Sequence, residues 1–342
     1  MTKILIYGDI GGSGGYFRYC RGILASGGIP DDVKVYFVTS KAFSKKLGKL
    51  DDKVQIITHD WIDNKSKIKR YLWYLWVFPR IVRKIQPNIE FYAAGQQRVY
   101  LRRAITVCTC HNLLLFDNNE LRRITNKKEQ EYFSTVKISQ TKSFDKSTGL
   151  IFLSEYSKAE ILKCLKFNGK ATVVSHGIDK EFIKPEKRIY KLHNPIRLLY
   201  VSPIFHYKYH KEVIKALQIL KNEIDTPIEL TLVGGGNSSA RSELQYFLTT
   251  IGDMVLVKFV EFVETDELIK QYDESDIFIF ASSCETFGIT LLEAMGRRLP
   301  IVCSNKSGLP DILKDSAIYF NPSDPQSISL AIKQLIKDDK LR

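Results

Sequence analysis

The chain has 342 residues, 44% of them hydrophobic and 26% charged, the composition of a globular protein long enough for two domains. No apolar stretch approaches the ~20 residues that cross a bilayer, and the opening MTKILIYGD predicts a strand rather than a signal peptide. The formal net charge of +13 comes without a nucleic-acid-binding motif, so we expect no nucleic-acid partner.

The first predicted strand, Ile4–Tyr7, is followed by a glycine cluster, Gly11–Gly15, and then by a predicted helix. A dinucleotide fingerprint is excluded, because Phe17 stands at its third glycine and the second strand runs into Ser40 without an acid. Backbone amides of a glycine-rich loop can nevertheless approach a ligand closely. We therefore predict that Gly12, Ser13, Gly14 and Gly15 form a loop that lets a ligand or an acceptor approach the backbone.

The densest positive charge lies in residues 65–85, where seven Lys or Arg and five aromatic residues occur between Lys65 and Lys84 without an acid. Such a mixture is typical of a helix on an anionic membrane surface. A core-packing helix with a solvated basic face is an equally good interpretation, and Pro79 interrupts any long amphipathic helix. The first interpretation would place a cytoplasmic protein peripherally on the inner face of the cell membrane.

Short apolar runs alternate with helical patterns along the first half of the chain, which predicts a parallel sheet covered by helices on both faces. The predicted strands are Ile4–Tyr7, Val33–Thr39, Val54–Thr58, Ile89–Tyr92, Ile105–Thr109, Leu150–Leu153 and Ala171–Val174. The predicted helices are Tyr16–Ala25, Lys67–Ile85 and Ser157–Lys166.

A charged, proline-containing linker, Lys184–Pro195, precedes a second half with the same alternation. Its predicted strands are Ile196–Val201, Ile228–Val233, Val255–Phe259, Ile277–Phe280, Pro300–Cys303 and Ala317–Phe320. Its predicted helices are His210–Asn222, Ser239–Ile251, Asp266–Tyr272, Gly288–Gly296, Gly308–Lys314 and Pro325–Lys337. We therefore expect two doubly wound α/β domains, residues 1–188 and 189–342, with a cleft between them.

The cysteines favour reduced thiols over a metal site. All six lack CxxC or zinc spacing, which indicates a cytoplasmic protein. Cys108, Cys110 and His111 could in principle ligate a metal, but in a strand the two cysteines would share one face and His111 the other. Buried cysteines are the better interpretation, and we predict no metal.

Two carboxylates eight positions apart, Glu285 and Glu293, form the most informative pattern, in the segment CETFGITLLE. Glu285 lies on the predicted loop between a strand and a helix, and Glu293 lies within that helix. Ligands bind beside such loops in open α/β sheets. The amides from Phe287 to Ile289 would then offer an anion site at the helix N-terminus.

These glutamates and the segments around them resemble the retaining glycosyltransferases of the GT4 type, which have the GT-B fold. The glycine cluster, His111-Asn112, Ser175–Asp179, Val233–Gly236 and Gly308–Asp311 match family elements in the same order along nearly the whole chain. The resemblance implies a nucleotide-diphosphate sugar bound by the second domain and an acceptor bound by the first. The acceptor would be a glycan or a lipid-linked saccharide, in a pathway such as O-antigen or capsule synthesis.

The same resemblance implies a role for each candidate residue. Glu285 would bind the transferred sugar near its reacting carbon, Lys208 would neutralise the diphosphate, and His111 would contact the donor sugar or help with the acceptor proton. Glu293 would hold the ribose hydroxyls and Val263 would lie near the base. The complete donor-binding set is Glu293, Phe287, Gly288, Ile289, Thr290, Val263 and Gly235. The family needs no obligatory metal or cofactor, and the sequence has no D-x-D element.

Several positions depart from the family pattern. Pro203 stands where an Arg often contacts the diphosphate, so neutralisation would rest on Lys208, with help from His206, Lys211 or helix-end amides. Asp311 replaces a Glu. The chain ends at Arg342, whereas relatives commonly continue with a helix that returns to the first domain, so a shortened chain and one segment of a longer enzyme both stay open.

Two alternatives remain beside a metal-independent, retaining glycosyltransferase. A sugar-nucleotide epimerase of the same fold would need catalytic acids and histidines that we do not find. A non-catalytic subunit that binds a glycan or scaffolds a polysaccharide synthase is favoured by Pro203 and opposed by Glu285, Glu293 and Lys208.

Overall fold

The computed structural model describes residues 1–8, 14–25, 27–62, 64, 66–97, 104–184, 186, 191–236, 238–251, 255–261 and 263–342. Within it the chain forms two compact units. The first comprises Met1–Phe116 and Glu131–Gly177, and the second comprises Asp117–Gln130 and Ile178–Arg342. The predicted boundary between residues 188 and 189 lies outside the described residues, as do Gly12, Ser13 and Lys65.

The first unit is built on seven parallel strands in the order β3-β2-β1-β4-β5-β6-β7. They are β1 (Thr2–Tyr7), β2 (Val33–Thr39), β3 (Val54–Thr58), β4 (Ile89–Tyr92), β5 (Ile105–Thr109), β6 (Gly149–Phe152) and β7 (Lys170–Val173). The order reverses direction between β1 and β4, which pair in parallel from Ile4 opposite Ile89. Ligands of doubly wound sheets bind beside such a switch point.

The helices of the first unit are α1 (Gly14–Ala25), α2 (Lys41–Lys46), α3 (Lys67–Leu72), α4 (Phe78–Ile85), α6 (Lys127–Lys146) and α7 (Glu155–Leu162), with α6 beginning in the second unit. The seven predicted strands are confirmed, whereas α2 and α6 were not predicted. The reason for missing α6 is physical: of its 20 residues, those buried are Gln140, Ser143 and Phe144, so it carries almost no apolar stripe.

The basic–aromatic segment forms one continuous helical stretch with a change of hydrogen bonding before Pro79. A π-helical turn, Trp73–Val77, joins α3 to α4, and Pro79 occupies the first turn of α4, where its missing N–H is tolerated. One face packs inward through Trp73, Phe78 and Val82. The interruption predicted at Pro79 is therefore absorbed without a break in the helix.

The second unit is built on six parallel strands in the order β10-β9-β8-β11-β12-β13. They are β8 (Ile196–Val201), β9 (Ile228–Val233), β10 (Leu256–Val260), β11 (Ile277–Phe280), β12 (Ile301–Ser304) and β13 (Ile318–Phe320). All four residues of β11 are buried, as expected of a central parallel strand covered on both faces. Its switch point lies between β8 and β11.

The helices of this unit are α5 (Asn118–Arg122), α8 (His210–Lys221), α9 (Ser238–Ile251), α10 (Thr265–Asp273), α11 (Ile289–Gly296), α12 (Leu309–Leu313) and α13 (Pro325–Lys337). Apart from α5, each matches a predicted helix to within a residue or two. One large core joins the strands to the helices from α8 to α13. The two parallel α/β units thus confirm the predicted fold class.

Candidate functional site

Two predicted site residues of the second unit, Lys208 and Glu285, lie beyond the carboxyl ends of its two switch-point strands, β8 and β11. The loop after β8 leads to Lys208, and the loop after β11 leads to Glu285. Parallel strands direct their carboxyl ends to the same edge of the sheet, which brings the two loops together. The site therefore follows from topology, although 77 positions separate these two residues along the chain.

Lys208 and Glu285 form a largely buried ion pair. The Lys208 side chain is 6% exposed and that of Glu285 is 16% exposed. The Lys208 ammonium also lies 5.0 Å from the ring centre of Phe280 and 5.3 Å from that of Tyr207, within range of cation–π attraction. Lys208 is thus largely buried, which is uncommon for a lysine.

The other cations considered for the diphosphate lie apart from this pair. His206 Nδ1 is 3.6 Å from Glu243 and Lys211 Nζ is 3.5 Å from the same carboxylate, on α9. Both groups therefore lie beside α9 rather than beside Glu285.

Hydrogen bonds fix the loop that carries Glu285. The Glu285 N–H donates to Ser307 Oγ at 3.1 Å, and the Ser307 hydroxyl donates to the Ser283 carbonyl at 2.6 Å. Ser307 has φ of 56°, a left-handed conformation that is uncommon outside glycine. Ser307, in this strained conformation, thus fixes the position of the Glu285 backbone.

Gly288 is the N-cap of α11, and its backbone is also left-handed, with φ of 86°. Phe287 before it is buried, whereas Ile289 and Thr290 after it are partly exposed. The first N–H groups of a helix have no partner within the helix and carry the positive end of its dipole. The arrangement suits an anion, and an eight-residue helix is long enough to provide it.

Glu293 lies inside α11 and is 1% exposed. Its Oε2 accepts a hydrogen bond of 2.8 Å from the hydroxyl of Tyr272, on α10, and that hydroxyl also lies 3.3 Å from the Thr290 carbonyl. Glu293 is therefore not a solvated surface residue. Its assignment to the ribose stays a prediction, and Tyr272 is a partner that the sequence did not indicate.

The glycine loop after β9 approaches the loop after β8. A side chain at Gly234 would lie 2.5 Å from the Ser202 carbonyl oxygen, and one at Gly236 would lie 2.7 Å from the Ile204 nitrogen. Gly235, the predicted donor residue, is exposed and has open space where a side chain would be. Val263 is partly buried against the core. The close approach thus requires glycine at the two positions that flank Gly235.

His111 follows β5 in the first unit and lies among aromatic rings. Its ring centre is 4.7 Å from that of Tyr19 and 5.8 Å from that of His176. Burial, followed by the neighbouring His176, lowers the pKa of His111 to about 3, and burial lowers the pKa of His176 to about 4. Both imidazoles are therefore neutral near pH 7. The nearness of His176 was not predicted, because 65 residues separate the two histidines in sequence.

The remaining predicted positions have these placements. Gly14 and Gly15 form the start of α1. All six cysteines are free, and burial raises the pKa of Cys20, Cys108 and Cys110 to about 12, which keeps these thiols protonated. Across the described ranges, no group of three or more His, Cys, Asp or Glu side chains is arranged to hold a metal ion, and no helix has the length and apolarity to cross a membrane.

A second charged cluster, absent from the sequence predictions, borders the Lys208–Glu285 pair. Glu120, on α5, accepts a hydrogen bond of 2.6 Å from Ser283 Oγ and pairs with Arg123 at 2.9 Å. Arg123 in turn lies over the Tyr209 ring, 4.4 Å from its centre. Lone charged residues on a short helix give no sequence signal, so this cluster could be found through the structure alone.

Family comparisons agree with the two-unit architecture. Residues 23–182 match the family model described as Glycosyltransferase Family 4, and residues 179–342 match Glycosyl transferases group 1. The chain belongs to the glycosyltransferases that combine these two domains. This is the GT4-type, GT-B family expected from the sequence.

Among its relatives, O-antigen chain mannosyltransferase B of Escherichia coli is 25% identical over 251 residues, which cover 71% of this chain and 63% of that protein. Amylovoran biosynthesis glycosyltransferase AmsK of Erwinia amylovora is 34% identical over 145 residues, 39% of this chain and 34% of that protein. The chain thus matches less than two thirds of the length of either relative.

Among solved structures, Anabaena Alr3699/HepE in complex with UDP and glucose has a TM-score of 0.72 and 18% identity, covering 100% of this chain and 91% of that one. At this level of identity the likeness establishes the shared fold.

Proposed function

We propose that this protein transfers a sugar from a nucleotide-diphosphate sugar to a saccharide or lipid-linked oligosaccharide acceptor, in the synthesis of a bacterial surface polysaccharide. The observation that carries the proposal is the buried Lys208–Glu285 pair, at the switch point of the second unit and beside α11. The names of the O-antigen and amylovoran relatives support the pathway. The complex of the Anabaena protein with UDP supports the donor class.

The donor would occupy the second unit in three parts. Lys208 would bind the diphosphate, and because an ammonium has three N–H donors, it can do so while it still contacts Glu285. The N-terminus of α11 would bind further phosphate or sugar oxygens, together with Phe287, Gly288 and Ile289. The remaining assignments are Glu285 to the sugar, Glu293 with Thr290 to the ribose end, and Val263 with Gly235 near the base.

The chemical step follows from the charge that develops. As the bond between the sugar carbon and the diphosphate oxygen breaks, negative charge grows on the phosphate, where Lys208 and the α11 dipole stabilise it. The acceptor hydroxyl attacks from the leaving-group face, and its proton passes to the departing phosphate oxygen, so configuration is retained. A fixed ammonium supplies the positive charge at the leaving group, so no step of this scheme requires a metal ion.

His111 would act by hydrogen bonding rather than as a base. Its pKa of about 3 leaves the imidazole neutral but weakly basic, which disfavours removal of a proton from an acceptor hydroxyl. A neutral ring can still donate or accept a hydrogen bond with a sugar hydroxyl. We assign the acceptor to the first unit, with Gly12, Ser13, Gly14 and Gly15 as further candidate contacts.

The basic–aromatic segment would hold this cytoplasmic enzyme on an anionic membrane. Its outward face exposes large apolar side chains, with Ile68 71%, Tyr71 63% and Trp76 58% exposed. Exposed basic residues alternate with them, among them Lys69 and Arg80. Insertion of the rings at headgroup depth and attraction to anionic lipid would act together.

Incubation of the purified chain with UDP-, GDP-, dTDP- and CMP-sugars tests the donor class directly. We expect binding of one nucleotide by calorimetry and slow hydrolysis of the matching sugar donor. Transfer to acceptors in lipid extracts should then be faster than this hydrolysis. NMR of the product should show the same anomeric configuration as the donor. Binding of glycan without binding of any nucleotide would instead identify a non-catalytic subunit and refute the proposal.

A further inference from the structure

A short segment, Asp117–Arg123, contributes a nearly buried carboxylate to the edge of the donor site. Asp117 accepts hydrogen bonds from the N–H groups of Asn119 and Glu120, which starts α5. Glu120 is 9% exposed, and its carboxylate is shared between Ser283 Oγ at 2.6 Å and Arg123 at 2.9 Å. A carboxylate that loses its water is destabilising unless hydrogen bonds and a cation replace that water, as they do here.

One branch of this arrangement reaches the Glu285 loop. Ser283 precedes Glu285 by two residues, and its N–H donates to the Tyr207 carbonyl at 2.9 Å. Tyr207 in turn precedes Lys208. The side chain of Ser283 thus joins Glu120 to a point where the two donor loops are already hydrogen-bonded to each other.

The other branch reaches the Lys208 loop from its far side. Arg123 donates a hydrogen bond to the Tyr209 hydroxyl and covers the ring of the same residue at 4.4 Å. Tyr209 follows Lys208 directly and has φ of 51°, a left-handed conformation that is unfavourable for residues other than glycine. Such a conformation persists where surrounding contacts hold it, and Arg123 supplies one of them.

We propose that Glu120 is a positioning residue, which sets the geometry of the Lys208–Glu285 pair by holding Ser283 on one side and Arg123 on the other. The proposal rests on the proposed function, because it assigns Glu120 to the same donor site. A displacement of either loop by a fraction of an ångström would move the ammonium from the developing phosphate charge. Glu120 itself need not touch the donor.

A matched set of variants tests this role. Glu120→Ala should lower kcat for sugar transfer about tenfold, the usual effect of losing a buried charged hydrogen bond, with a smaller change in the KM of the donor. Glu120→Gln keeps an acceptor for Ser283 but loses the charge opposite Arg123, so its kcat should be intermediate. Arg122→Ala is the control, because Arg122 lies on the same short helix and is exposed. It should retain the wild-type kcat.

A double-mutant cycle distinguishes positioning from general loss of structure. If Glu120 acts through Glu285, Glu120→Ala should lower kcat less than about twofold in a Glu285→Gln background. The same tenfold loss in both backgrounds would overturn the inference. Titration with the bound nucleotide gives the concentration of active sites for each variant, so a partly unfolded sample does not imitate a low kcat.

Ser283→Ala provides a second route if Glu120→Ala fails to fold. It removes one hydroxyl, and it should lower kcat in the same direction and show the same coupling to Glu285. The two proposals fail differently. Without nucleotide binding by the wild-type chain, the proposed function is wrong and this inference is wrong with it. A wild-type chain that binds and transfers while Glu120→Ala and Ser283→Ala match the Arg122→Ala control would overturn the role of Glu120 alone.

Discussion

The two units bring very different polar groups together. In the second unit the group is a buried ion pair, Lys208–Glu285, bordered by a second pair, Glu120–Arg123. In the first unit His111 and His176 lie beside Tyr19, and burial keeps both histidines neutral by lowering their pKa values to about 3 and 4. Burial also raises the pKa of the Tyr19 hydroxyl to about 12, so that group is neutral as well.

This difference in charge indicates which class of ligand each unit suits. Fixed positive charge and a helix N-terminus stabilise an anion, which fits a diphosphate in the second unit. Neutral rings with hydroxyl and imidazole groups bind a polar, uncharged molecule, which fits a saccharide in the first. Each prediction below concerns a property that we assign to one unit and not to the other.

Breaking the ion pair should have the largest effect. Glu285→Gln and Lys208→Met should each lower sugar transfer by ~10²-fold or more, because each removes a preorganised charge at the reaction centre. Each single change should also destabilise the unit by ~3 kcal/mol, since it leaves a buried charge without its partner. The double variant should regain most of the stability and none of the activity. Denaturant unfolding and transfer assays measure the two quantities, and recovery of activity in the double variant would contradict the assignment.

Acid should destabilise the neutral cluster of the first unit. The folded-state pKa values of His111 and His176 lie below the ordinary value of 6.5, so the unfolded chain binds protons first as the pH falls. The stability from both residues is present above pH 6.5 and is lost toward pH 4, by up to ~1.4 kcal/mol per pH unit for each histidine. His111→Gln should reduce the slope of unfolding free energy between pH 6.5 and 4.5. An unchanged slope would argue against a buried neutral His111.

Membrane binding should depend on the first unit alone. Replacing Leu75 and Trp76 by Ala removes two side chains that are 50% and 58% exposed, and it should weaken binding to phosphatidylglycerol vesicles about tenfold. Tyr246→Ala, which removes a 73% exposed aromatic residue from α9 of the second unit, is the matched control. Co-sedimentation measures both. Equal losses of vesicle binding in the two variants, or equal binding to neutral phosphatidylcholine vesicles, would refute the proposal that the basic–aromatic segment binds an anionic membrane.

Gly288→Ala should have the smallest effect of the four. The left-handed φ of 86° disfavours any side chain, and an added methyl carbon would lie 3.1 Å from Leu291. We expect a loss of ~1 kcal/mol in stability and a weaker affinity for the nucleotide, since the α11 N-terminus must shift. Gly48→Ala, in the first unit and also with a left-handed φ of 72°, is the control, because it should lower stability without changing the affinity for the nucleotide. Thermal unfolding with and without nucleotide distinguishes the two variants.

Periodicity was sufficient for most of the fold and for the location of the loops that carry Lys208 and Glu285. Strands such as Ile196–Val201 and Ile277–Phe280 are short, continuous apolar runs, and their ends mark where the loops with Lys208 and Glu285 begin. Helices without an apolar stripe were not predicted. The main example is α6, which buries three of its residues and therefore has no hydrophobic periodicity in its sequence.

The sequence by itself determined the order of strands and helices, the family and the residues proposed for the donor site, because these depend on local spacing along the chain. The tertiary structure alone decided which distant side chains meet. Lys208 pairs with Glu285 across 77 positions, and Glu120 binds Ser283 across 163, because a parallel sheet brings loops together by strand order rather than by nearness in sequence. Burial, too, was decided there: it keeps His111 neutral and encloses the charge of Lys208 beside a carboxylate.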